Sequence, residues 1–110
     1  MAGNTVIHHT VSKTIDIIFD GDTDYDYGEN ILVISMDFLP AATSDTIKVR
    51  AGSSTGTGPS TGDAIIFQVK CASDQDQRTK YWEKGKWMRP FVDSEDIVTS
   101  GTARLLIHYI

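Results

Sequence analysis

Residues 80–110 read KYWEKGKWMRPFVDSEDIVTSGTARLLIHYI, and at their end Ala103, Leu105, Ile107 and Tyr109 alternate with Arg104, Leu106, His108 and Ile110. Alternation with a period of two marks a strand with one buried face. Such a strand is expected to complete a sheet, with no lid or effector segment after it. Earlier in the same stretch, residues 80–82, 86–88 and 90–92 read as shorter strands. Residues 94–97 suit a single helical turn capped by Asp93 or Ser94.

The same period runs through the rest of the chain. Over residues 7–19 the odd series Ile7, His9, Val11, Lys13, Ile15, Ile17 and Phe19 faces an even series of His8, Thr10, Ser12, Thr14, Asp16 and Ile18. Residues 31–38 put Leu32, Ile34, Met36 and Phe38 on one face, and Ile31, Val33, Ser35 and Asp37 on the other. Residues 47–50 form a short strand, and Ile65, Phe67, Val69 and Cys71 alternate with Ile66, Gln68 and Lys70. No window carries a useful helical stripe, and β-branched residues favour strands. The expectation is an all-β, single-domain antiparallel β-sandwich or jelly-roll-like barrel of six to nine strands over residues 1–110. Two turn-rich segments, residues 20–30 (DGDTDYDYGEN) and 51–62 (AGSSTGTGPSTG), read as flexible loops.

A chain of 110 residues can bury roughly 65% of its unfolded surface, enough for one independent core. Its single cysteine, Cys71, excludes an internal disulfide, and the N-terminus lacks the pattern of a secretory leader. The longest apolar runs are far shorter than the roughly 20 residues of a membrane helix, so no membrane partner is expected. A net charge of −5 disfavours nucleic acid. The charge is uneven: residues 78–89 hold Arg78, Lys80, Lys84, Lys86 and Arg89 against Glu83, a balance of +4 that leaves −9 elsewhere. Segregation of this kind suits docking on an oppositely charged or self-complementary surface.

Chemical motifs are weak. Asp20, Asp22, Asp24 and Asp26 imitate a calcium loop, but Tyr25 stands where the sharp turn needs Gly and Ile31 where a bidentate Glu belongs. A solvated acidic turn is the commoner use of such a segment. The glycines of residues 51–62 precede no Lys-Ser or Lys-Thr pair and no helix that could hold a phosphate. His8 and His9 point to opposite faces of one strand and reach His108 only across strands. Cys71 shares an apolar face with Ile65, Phe67 and Val69, and Glu95 and Asp96 sit in a polar turn without a group to raise either pKa. No catalytic residue, metal site or cofactor is expected, and the chain reads as non-enzymatic.

The remaining feature is the pairing of Trp82 and Trp87 with Arg78, Lys80 and Arg89. A hairpin turning at residues 84–86 with both tryptophans in the core is one reading. Aromatic anchors among cations also suit a protein interface, a sugar platform or unpaired bases.

The order IKVRAG (residues 47–52), AIIFQVK (64–70), MRPFVD (88–93) and TARLLIHYI (102–110) resembles small structural proteins of tailed bacteriophages. The resemblance covers about the last 65 residues and implies a virion component, in the first place a capsid decoration or cement protein. Such proteins bind the major capsid protein and copies of themselves, a trimer being one such assembly, and catalyse nothing. On this expectation Trp82, Trp87, Arg78, Lys80 and Arg89 form the partner surface, with residues 2–10 as a second contact. A carbohydrate-binding module of a head-fibre or tail protein is the alternative. A minor tail or head-to-tail connector component is the third reading.

Overall fold

In the computed structural model, residues 4–20, 24–52, 64–73, 76–99 and 102–110 are described. Nine strands run through them: β1 (Thr5–His9), β2 (Thr14–Phe19), β3 (Tyr25–Asp26), β4 (Ile31–Leu39), β5 (Thr46–Gly52), β6 (Ile65–Lys70), β7 (Arg78–Val92), β8 (Ile97–Val98) and β9 (Ala103–Tyr109). All pairings are antiparallel, in the order β1-β2-β9-β4-β7-β5-β6, with β3 on β7 and β8 on β5. The fold is all-β, as the alternation predicts. Among the described residues the one helical turn, a 3-10 turn at Ser94–Asp96, is capped by Asp93, whose side chain accepts from the Glu95 N–H.

β7 joins two layers. Its first half pairs with β4 as far as Met88, and its last residues pair with β5 and β3. Pro90, which has no N–H to donate, falls just beyond the last β4 pair, where the strand changes sheets. The inner faces of the layers share one core, with Ile15, Ile17, Met36, Phe38, Leu105 and Ile107 from one and Ile47, Val49 and Phe67 from the other. Cys71 is buried in this core, as expected from its apolar face.

Three local readings are corrected. The series over residues 7–19 is not one strand: β1 and β2 form a hairpin through a turn at residues 10–13, with Lys13 at φ 53° and Val11 almost wholly exposed. In β4 the buried residues are Ile31, Val33, Met36 and Phe38, so the faces exchange at Ile34. A bulge there shifts the register to both β7 and β9, and an extra residue flips every side chain beyond it. A second irregularity, between Val49 and Arg50, puts Ile65 out of phase and leaves it exposed.

The acidic segment is only partly a loop. Tyr25 and Asp26 form β3, and Asp24 accepts from the Ser94 N–H at 2.8 Å. Residues 21–23 and 53–62, in the two segments read as flexible, lie outside the described residues.

Candidate functional site

The first half of β7 departs from regular pairing. Its register passes from Tyr81 opposite Ser35 to Lys86 opposite Val33, so Ile34 alone faces Trp82, Glu83, Lys84 and Gly85. The expected hairpin at residues 84–86 is therefore an insertion within one continuous strand. Gly85 makes it possible: its φ is 76°, and a Cβ there would lie 2.8 Å from Leu32 Cδ1 and 2.9 Å from Cγ. An L-residue would be strained by the left-handed conformation and crowded by Leu32 at once.

This geometry turns Trp87 outward. Met88 is buried, so its neighbour Trp87 points to the outer face, where it pairs with Leu32 and is 69% exposed. On the other side of Leu32, the Ile110 N–H donates to the Leu32 carbonyl at 3.0 Å, and Ile110 is also 69% exposed. Trp87, Leu32 and Ile110 thus make an apolar row across the end of the sheet. Tyr81, opposite Ser35 on the same face, is 64% exposed, and Lys84 and Lys86 are exposed beside the row. The reading that packs both tryptophans into the core fails for Trp87.

The other expected partner residues divide. Trp82 packs half-buried against the core, with Lys80 Nζ 6.0 Å from its ring centroid, a cation–π distance. Arg78 is engaged by Asp76 through two hydrogen bonds of 2.7 and 2.8 Å. Arg89 lies in the part of β7 that pairs with β5 and is held by Asp26 at 3.0 and 2.8 Å. The Arg89 hydrogen bond is the main reason that the Asp26 carboxyl lies below the usual carboxylate range. Trp82, Trp87, Arg78 and Lys80 share the β7 edge, while Arg89 braces the second layer. Residues 5–9 of the expected second contact form β1, at the opposite end of the order β1-β2-β9-β4-β7, about 19 Å away at ordinary strand spacing.

A polar network crosses the middle of the outer face. His108 Nε2 lies 2.8 Å from Asp37 Oδ2, its Nδ1 lies 3.2 Å from the Thr14 hydroxyl, and Thr79 donates to Asp37 Oδ1 at 2.6 Å. Arg104 pairs with the buried Asp16 one row away. These groups come from β2, β9, β4 and β7, and pairings between residues 42 to 94 positions apart carry no sequence signal. His108 meets Thr14 and Asp37, not another histidine. These polar groups satisfy one another, whereas Trp87 and Ile110 in the apolar row at the sheet's end stay exposed.

The acidic residues do not converge. Asp20 accepts from the Thr5 N–H and hydroxyl, Asp24 from Ser94 and Asp26 from Gly28 and Arg89, while Asp22 lies outside the described residues. Among the described residues no group of three or more His, Cys, Asp or Glu is placed to hold a metal ion. No protein-family model, curated protein or solved structure matches the chain.

Proposed function

We propose that this chain is a non-enzymatic structural protein of a bacteriophage virion, a decoration or cement protein that docks on the capsid shell. The virion context comes from the resemblance of residues 47–110, and the docking mode from the β7 edge. The observation that carries it is the apolar row in which Trp87 and Ile110 are exposed on either side of the partly buried Leu32, with Tyr81 on the same face and Lys80, Lys84 and Lys86 along the edge. Rigid aromatic anchors on a sheet lose little side-chain entropy on binding, and the cations orient them on an acidic surface. Shell protein is the first partner, and further copies of the chain are the second.

Quantitative mass spectrometry of purified particles of the phage that encodes the chain tests this. Copy number near that of the major shell protein, reduced by Trp87→Ala, is the expected result. A few copies per particle would move the chain to the tail or connector, and absence would remove the virion reading. Trp87 and Tyr81 exposed on one face also suit a sugar platform, so a carbohydrate-binding module is the second reading. Perturbation of Trp87 fluorescence by host polysaccharide, in the isolated protein, would favour it.

A further inference from the structure

The two edges of the larger layer differ in how they are protected. The β7 edge carries Arg78, Lys80, Glu83, Lys84 and Lys86 and an insertion that breaks its line, both devices that stop strands from pairing with other chains. The β1 edge has neither. Its residues are Thr5, Val6, Ile7, His8 and His9, without a lysine, arginine, carboxylate or proline, and without a register shift against β2. All five are exposed, Val6 at 37% and Ile7 at 41%, and among the described residues no strand pairs with the side of β1 away from β2. β-Branched residues on an unguarded edge form a template for strand addition.

We propose that β1 pairs antiparallel with β1 of a second copy of this chain, so that the two layers join into one continuous sheet across a two-fold axis at Ile7. This register sets Ile7 against Ile7 of the second copy, Val6 against His8, and Thr5 against His9. Charge distribution selects the antiparallel sense. Asp20 is anchored at the Thr5 end by the Thr5 N–H and hydroxyl at 3.1 and 2.8 Å, while His9 stands at the other end and the Lys13 amine is turned over the Tyr109 ring, away from this edge. Antiparallel pairing brings each Asp20 beside the His9 end of its mate, about two strand spacings or ~10 Å away, which is within a Debye length at moderate salt. Parallel pairing would set like ends together. Val6 and Ile7 from both copies lose water at the seam, and two-fold closure leaves no further β1 edge to extend the assembly.

The pairing assigns the second contact of the reading above and does not depend on a capsid shell being the first. Its test is sedimentation equilibrium of the isolated full chain up to about 200 µM, a range that detects dissociation constants in the micromolar class. The expected result is a concentration-dependent dimer. Ile7→Lys and Ile7→Glu each place like charges face to face at the axis and are expected to weaken dimerisation at least ~10-fold, since directly opposed like charges destabilise paired strands. Mixing the two variants sets Lys against Glu and restores the dimer as a heterodimer. Circular dichroism melting keeps the variants interpretable, because an exposed Ile7 contributes little to the monomer's core. A wild-type monomer throughout the range, a trimer, or folded Ile7→Lys protein that dimerises normally would each overturn the proposal. Particle occupancy plays no part in the experiment, so its outcome is separable from that of the docking reading.

Discussion

Replacing Gly85 by Ala tests the insertion that exposes Trp87. Two costs arise there. The left-handed conformation, φ 76°, costs an L-residue about 1–2 kcal/mol. The added Cβ would meet Leu32 Cδ1 at 2.8 Å and Cγ at 2.9 Å, closer than such contacts allow, so Leu32 must move. Leu32 lies on the outer face and is only partly buried. It can therefore give way for about 1 kcal/mol, at the low end of overpacking costs. The sum is about 2–3 kcal/mol. Gly28 supplies the control, because its φ is 93° while nothing among the described residues lies within 4 Å of a Cβ there. Gly28→Ala should cost only the conformational part, about 1–2 kcal/mol. Urea unfolding followed by circular dichroism measures both. With a slope of roughly 1–1.5 kcal/mol per molar for a domain of this size, the Gly85 midpoint falls by about 2 M and the Gly28 midpoint by about 1 M. Leu32→Ala in the Gly85→Ala background should recover the steric part as a coupling of about 1 kcal/mol. A Gly85→Ala midpoint no lower than that of Gly28→Ala, without coupling to Leu32, would refute the close approach. A neutral Gly85→Ala would refute the insertion's geometry altogether.

Further predictions concern buried polar groups and acid. Asp45 is 2% exposed, and its Oδ2 accepts from the Ala41 N–H at 2.7 Å, the Ala42 N–H at 2.9 Å and the Thr99 hydroxyl at 2.9 Å. Asp45→Ala leaves three donors without this acceptor and should cost about 3 kcal/mol, against about 1 for Asp45→Asn, in urea unfolding. Among the described residues the buried Tyr25 hydroxyl has no hydrogen-bond partner, so Tyr25→Phe should be neutral or stabilise by up to about 1 kcal/mol in thermal melts; a loss above that would reveal a missing partner. The Asp26 carboxyl is lowered by Arg89, and Asp76 is lowered to about 2 by Arg78. A lowered carboxylate contributes stability that is fully present above the unfolded value of 3.8 and is lost as pH falls through the folded value. Unfolding free energy should therefore decline between pH ~4 and ~2, and Asp26→Asn should flatten that slope. An unchanged slope would mean that the Asp26–Arg89 pair is not formed in solution.

Local chemistry made much of the architecture legible in the sequence. In β9, alternation placed Ala103, Leu105 and Ile107 inward and Arg104 and His108 outward, because a pleated strand shows its two faces by turns. Asp93 was legible as a cap because a short carboxylate can reach the N–H two residues on. The basic, aromatic character of residues 78–89 was legible as composition.

Where those side chains point was decided by long-range pairing. The bulge at Ile34 exchanges the faces of β4 through register with β7 and β9, strands more than forty residues away in sequence. The insertion at Trp82–Gly85 depends on Leu32 across the ladder, so residues that read as a hairpin turn became a strand with one exposed tryptophan. Arg89 was drawn away from the expected partner surface because Asp26, 63 positions earlier, folds beside it. The Thr14–His108–Asp37–Thr79 network arises only once four strands lie in one order. Amino-acid sequence by itself determined that this chain forms strands and which short stretches form them, since a period of two is a property of neighbours along the backbone. Tertiary structure alone decided strand order, register and edges, because hydrogen bonds between strands join residues whose separation leaves no local trace.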